Sequence, residues 1–404
     1  MPSDQRIRVL FVSKWLDVGG AERFVSTVLM KLDPNEFEPH LVLFRDIVGY
    51  PLPKHVSVRV LHPALVHKAW HIPRLVVRLA GAIRDLQPDV VVSAYGYPNI
   101  ITGFALRLIR GGPQWLARVS TNPDWEEAGL RRPLFRFAYR RADRFVTNSA
   151  RLGELFSSIY PKARGRVWHL PNPADFDGIE AAVNQPPKVT PAARPRLVAV
   201  GRLAEAKRID LLVQAVYIVS QAHDVELVLC GDGTLRADLM SLVEGLGLAD
   251  RVAFAGYGNP FPWVASADLF VLSSDHEGSP NALIEANGLG VPAVSTDCDF
   301  GPSEIIEDGT TGWLVGVGDV DALATTIGRV ISDRALLTVA GAAARDRARV
   351  LFDASRVTHM LAQHLKDLSG VGKSDGLAQM HAESERFSHP HRSTNSESNV
   401  PPEA

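Results

Sequence analysis

The chain has 404 residues, 46% of them hydrophobic and 22% charged, with a mean hydropathy of +0.01. At about 150 residues per domain this length predicts two domains plus extras, and the composition excludes disorder over most of the chain. The sequence has no run of 18 apolar residues and no basic-then-apolar leader, so a chain neither exported nor membrane-spanning is expected.

The two cysteines, Cys230 and Cys298, fall at apolar strand ends and read as buried free thiols in a reducing cytoplasm. The net charge of −2 conceals +9 over residues 1–190 and −11 over the remainder. A basic half fits an anionic membrane surface, a polyanion or a phosphorylated acceptor, or else a solvated face with no partner.

In chain order, strands are predicted at Arg8–Ser13, His40–Phe44, Pro88–Ser93, Trp115–Val119, Arg144–Thr147 and Val167–Leu170. Helices fit Ala21–Leu32, Ile72–Leu86 and Pro133–Arg141. This alternation of short apolar runs with amphipathic segments is the pattern of βα units on a parallel sheet. The proline-rich segment 185–195 reads as a linker. The pattern then restarts: strand Arg196–Val200, helix Ile209–Ser220, strand Glu226–Cys230, helix Leu235–Leu246 and strand Arg251–Phe254. Next come strand Asp268–Leu272, a helix from Asn281, strand Val291–Ser295 and helical residues from Val320 to Leu368. The predicted organisation is α/β: a first doubly wound domain over 1–184, a second over 196–350, a C-terminal helix over 351–369 that packs back toward the first domain, and a disordered tail over 370–404.

Ligands of open parallel sheets sit beyond the carboxyl ends of the strands. After the first strand, Gly19 and Gly20 precede a helix whose amides suit a phosphate, although a glycine pair is also an ordinary tight turn. After the first strand of the second domain, Arg202 and Lys207 read either as a diphosphate grip or as solvated cations. In the segment 275–285, Glu277 precedes a helix and Glu285 is expected about two turns into it. Two carboxylates so separated do not suit a hydrolytic acid/base pair, but they do suit hydroxyls at two points of one long ligand, with the amides near Asn281, Ala282 and Leu283 meeting phosphates between them. The other reading makes Glu277 a helix cap and leaves Glu285 facing solvent. Cys298, in the loop 295–305, has no Cys or His at ligand spacing, so a zinc site is not expected.

Together, the segments 18–22, 201–207, 277–285 and 307–312 resemble glycosyltransferase family 4, retaining enzymes of the GT-B fold, in order and spacing over about residues 6–368. The resemblance implies two Rossmann-like domains facing each other across a cleft. It implies that Arg202 and Lys207 bind the donor diphosphate, that Glu277 contacts the transferred sugar, and that Glu285 holds the ribose. Arg202, Lys207 and Glu277 are thus the expected catalytic residues. The expected donor site adds Gly19, Gly20, Gly278, Ser279, Asn281, Ala282, Leu283 and, beside the base, Tyr257 in a segment 254–260 that resembles the nucleobase loop. The loop 297–302 is similar to one in members that build polyprenyl-diphosphate-linked glycans from UDP-N-acetylhexosamines.

Many members carry a histidine after the fifth strand of the first domain. This sequence has none there, leaving Arg118, Ser120 and Asn122 as acceptor-side candidates. The expected reaction is transfer of a hexose or N-acetylhexosamine from a nucleotide diphosphate sugar to a glycan acceptor. No metal, cofactor or nucleic acid is expected, and the expected location is cytoplasmic or on the inner membrane face. A nucleotide-sugar epimerase of the same fold and a catalytically silent nucleotide-sugar-binding protein are the competing readings.

Overall fold

A computed structural model describes residues 6–17, 19–62, 71–190 and 192–371. Residues 372–404, most of the predicted tail, lie outside the described residues, as do Val18 and residues 63–70.

The first domain is built on a seven-stranded parallel sheet: β1 (Ile7–Ser13), β2 (Phe37–Leu43), β3 (Ser57–Val60), β4 (Val90–Ser93), β5 (Gln114–Val119), β6 (Arg144–Thr147) and β7 (Val167–His169), in the order β3-β2-β1-β4-β5-β6-β7. The second carries six parallel strands: β8 (Arg196–Val200), β9 (Glu226–Cys230), β10 (Val252–Gly256), β11 (Leu269–Leu272), β12 (Ala293–Thr296) and β13 (Gly312–Val315), in the order β10-β9-β8-β11-β12-β13. Both orders reverse direction beside the first strand of the domain. Each sheet therefore has a crevice at its carboxyl edge next to β1 or β8. The central strands are uninterrupted apolar runs because helices cover both faces, and β4, β11 and β12 are buried at every position.

Two strands escape the sequence pattern. β3 is an exposed edge with only two valines, and β13 is a four-residue strand that follows the turn 307–311. Helices Gly96–Arg107 and Ala150–Ile159 were also not expected. The helical stretch predicted from Val320 to Leu368 is three helices, Val320–Ile331, Arg334–Phe352 and Ala354–Ser369. The last of these starts after Asp353, whose carboxylate accepts the Ser355 and Arg356 amides. Val357, Leu361 and Leu365 of this helix join the core of β1, β2 and β4, so the chain ends its described course on the first domain.

Across the domain boundary, Glu304 accepts the amides of Ala150 (3.1 Å) and Arg151 (3.2 Å) at the start of helix Ala150–Ile159. Gly278 lies so close to the first domain that a Cβ there would stand 2.4 Å from the Ser120 carbonyl oxygen.

Candidate functional site

The two carboxyl edges enclose a cleft of ≈ 730 Å³. Its first wall is the start of helix Gly20–Lys31. Gly19 precedes that helix in extended conformation, where a Cβ would run into Glu22 of the same helix, and a Cβ on Gly20 would stand 3.1 Å from Asn281 Nδ2 of the other domain, so Gly20 lets the two domains come together here. Its second wall is the turn after β8, the loop after β11 and helix Asn281–Gly288.

Lys207 ends the short 3₁₀ turn Glu205–Lys207, which is tied to the loop after β11 by Asp275 N–H donating to Ala206 O (3.0 Å) and Ser273 Oγ donating to Lys207 O (2.9 Å). That frame brings Lys207 Nζ to 2.5 Å from Glu277 Oε1, which also accepts from Ser274 Oγ at 2.7 Å. Glu277 therefore does not cap the helix. Arg202 lines the same space and is exposed. Asp275, two residues before Glu277, is fixed by Arg208 at 3.2 Å.

Pro280 occupies the cap position and the helix begins at Asn281, so Glu285 lies about one turn in rather than two. Its carboxylate is buried, not solvent-facing, and meets the Arg23 guanidinium of the first domain. Burial pushes the Glu285 carboxyl up, opposed by the charge and hydrogen bond of Arg23.

Of the predicted donor residues, Gly19, Gly20, Arg202, Lys207, Tyr257, Glu277, Ser279, Asn281, Ala282 and Glu285 line the cleft. Gly278 and Leu283 are not part of the lining: Gly278 faces Ser120, and Leu283 is core with its amide bonded to Pro280 O. The three acceptor-side candidates also lie outside the lining. Arg118 is fully buried, donating to Ala94 O and, at 2.7 Å, to Asn172 Oδ1. Asn172 Nδ2 in turn donates to Ser279 O (3.2 Å) and Asn281 Oδ1 (2.8 Å), so Arg118 supports the loop that shapes the second wall. Asn122 caps the short helix Pro123–Glu126 through the Asp124 amide.

Sequence reasoning missed Arg23, Tyr50 and the Gly231–Asp232 loop, which all line the cleft. Gly231–Asp232 directly follows β9, so the rule of searching the carboxyl ends of strands would have found it. Nothing local in the sequence marks Arg23 or Tyr50. Among the described residues no group of three or more His, Cys, Asp or Glu is placed to hold a metal ion, and Asp297 instead pairs with Arg151 at 3.6 Å.

Two facing doubly wound domains with a cationic, carboxylate-bearing cleft define a GT-B architecture. A family model described as Glycosyltransferase Family 4 matches residues 18–177, and one described as Glycosyl transferases group 1 matches residues 194–333. The chain belongs to the family 4 type of glycosyltransferases. It is 34% identical over half its length to the lipopolysaccharide core biosynthesis glycosyltransferase LpsE of Rhizobium meliloti, of which it spans 57%. It is 28% identical over 87% of its length to a Campylobacter jejuni enzyme named N-acetylgalactosamine-N,N'-diacetylbacillosaminyl-diphospho-undecaprenol 4-alpha-N-acetylgalactosaminyltransferase, of which it spans 97%. The structure of Anabaena HepE in complex with UDP shares the fold at 19% identity, with a TM-score of 0.72 over 90% of this chain and 100% of that one.

Proposed function

We propose that this chain is a retaining glycosyltransferase that moves a hexose or N-acetylhexosamine from a UDP-sugar to a glycan acceptor carried on a polyprenyl diphosphate. The observation that carries the reading is the placement of Lys207–Glu277 and Glu285 on one cleft wall, as separate anchor points on either side of the helix start at Asn281. In this reading Glu285 accepts from the ribose hydroxyls, Tyr257 lies beside the base, and Arg202 and Lys207 hold the diphosphate. Glu277 accepts from a hydroxyl of the transferred sugar. The acceptor oxygen bonds to the anomeric carbon on the face from which the diphosphate departs, and a departing phosphate oxygen takes the acceptor's proton. The two cations stabilise the negative charge that grows there. They take the part a metal plays elsewhere, so activity in EDTA equal to activity with manganese is expected.

The same reading places the enzyme at the cytoplasmic membrane face. Among the described residues no helix is long and apolar enough to cross a membrane. Helix Arg132–Tyr139 divides its apolar side chains: Phe135 and Tyr139 are buried in the core, while Leu134 and Phe137 are exposed, Phe137 beside Arg132, Arg136 and Arg140. Arginines around exposed apolar side chains suit an anionic headgroup layer. Salt-sensitive sedimentation with acidic liposomes, lost on changing Arg136 and Arg140 to Glu, is the expected result.

The activity test is incubation with labelled UDP-sugars, with and without a polyprenyl-diphosphate-linked glycan. Acceptor-dependent release of UDP with transfer of label supports the proposal. A changed sugar without transfer makes the protein an epimerase, and binding without turnover makes it a silent binding protein.

A further inference from the structure

Glu285 is a carboxylate of the second domain buried on the cleft wall, and the group that answers its charge belongs to the other domain. Arg23 is the fourth residue of helix Gly20–Lys31, and its guanidinium crosses the cleft to Glu285 Oε1. Of the charged groups on other elements packed against helix Asn281–Gly288, five have partners of their own, Arg347 of helix Arg334–Phe352 among them with Glu307. Arg345 and Arg349 of helix Arg334–Phe352 pair with Glu180, Asp175 at the start of helix Phe176–Val183 pairs with Lys31, and Glu304 of helix Pro302–Ile305 holds the Ala150 and Arg151 amides. Tyr50, which follows β2 and faces the same carboxylate, is held in its neutral form by burial, and its hydroxyl donates to Gly19 O.

A buried carboxylate without a cation takes up a proton, because the charged form is the one that desolvation penalises. A protonated carboxyl turns one of its oxygens into a donor, so it has to give up its proton before both oxygens can accept, one from each of two ribose hydroxyls. Separating the domains would take Arg23 away and open the carboxylate to water, so Glu285 would no longer be fixed in place for a ligand.

We propose that Arg23 is a positioning residue of the donor site: it holds Glu285 ionised and fixed in place across the cleft, so that a nucleotide's ribose is gripped fully only when the two domains are closed. The ribose half of this inference rests on the proposed function, whereas the ion-pair half does not.

The experiment uses the full chain in wild-type form and as Arg23→Met, Arg23→Lys and Glu285→Gln. The Glu285 carboxyl carbon is followed by carbon-13 NMR without nucleotide and assigned by its loss in Glu285→Gln. UDP affinity is measured by calorimetry from pH 5.5 to 8.5. The expected result is that Glu285 titrates at higher pH in Arg23→Met and that Arg23→Lys restores it. UDP binding by Arg23→Met should weaken at least tenfold at pH 6 and recover toward the wild-type value as pH rises. It should lose that pH dependence in the double variant with Glu285→Gln. An unchanged Glu285 titration in Arg23→Met overturns the proposal whatever UDP does. A shifted titration with UDP affinity equal to wild type at every pH supports the ion-pair role and overturns Glu285 as the ribose acceptor.

Discussion

Lys207 Nζ and Glu277 Oε1 stand 2.5 Å apart, joining the turn after β8 to the loop after β11. Each neutralises the other, so neither is a solvated surface charge. A donor whose diphosphate takes up Lys207 and whose sugar takes up Glu277 would share out a pair that is already in place.

Lys207→Ala is expected to lower turnover by a factor of about 10²–10³, corresponding to about 2.7–4 kcal/mol of barrier, since the lost cation acts on charge that develops as the diphosphate leaves. Thermal unfolding should change far less than turnover, because Lys207 is partly exposed at the cleft and Glu277 keeps its hydrogen bond from Ser274. Steady-state rates with a UDP-sugar, beside a melting curve, check both halves. Turnover at the wild-type level would remove Lys207 from the reaction.

Glu285→Ala and Glu277→Ala should separate nucleotide from sugar. Loss of Glu285 is expected to weaken free UDP and UDP-sugar alike, by about 10- to 100-fold if hydrogen bonds to a charged acceptor worth ~1.5–3 kcal/mol are lost. Loss of Glu277 should leave UDP affinity intact while UDP-sugar turnover collapses. Equal loss of UDP affinity in both variants would rule out this division.

Glu304→Ala should loosen the contact between the domains. Its carboxylate sits at the positive end of helix Ala150–Ile159, on two amides of the other domain. Removing it is expected to cost about 1–3 kcal/mol of stability in urea unfolding. It should also enlarge the radius of gyration measured by X-ray scattering in the absence of ligand. No change in either measurement would show that the contact does not hold the cleft closed.

Glu127 gives a pH signature in the first domain. It is buried beneath Tyr139 and Tyr160, and burial pushes its carboxyl up to about 7, with Tyr160's hydrogen bond opposing and the neighbouring Glu126 adding to the rise. A carboxyl raised on folding binds more protons folded than unfolded between about pH 4.5 and 7. Stability from this group is therefore lost as pH rises through that window. Glu127→Gln, whose amide oxygen accepts from one tyrosine and whose NH2 donates to the hydroxyl oxygen of the other, should melt higher than wild type at pH 8 and close to wild type at pH 5. A stability difference that does not depend on pH would contradict this account.

The sequence alone determined the two-domain α/β plan, because an uninterrupted apolar strand followed by an amphipathic helix records burial on both faces of a parallel sheet whatever the rest of the chain does. It also drew attention to Arg202, Lys207, Glu277 and Glu285, since the loops that follow strands are where such folds bind. It did not reveal β3 or β13, whose short or edge positions leave too few apolar residues to show a period.

The partners of these side chains were decided only by the tertiary structure. That Glu277 faces Lys207, that Glu285 faces Arg23, and that Arg118 is spent on Asn172 depend on residues between 54 and 262 positions apart in the chain. A charged side chain carries no local mark of whether it will be solvated, paired or buried. That outcome is set by the desolvation and the opposite charge it meets once the two sheets have closed on each other.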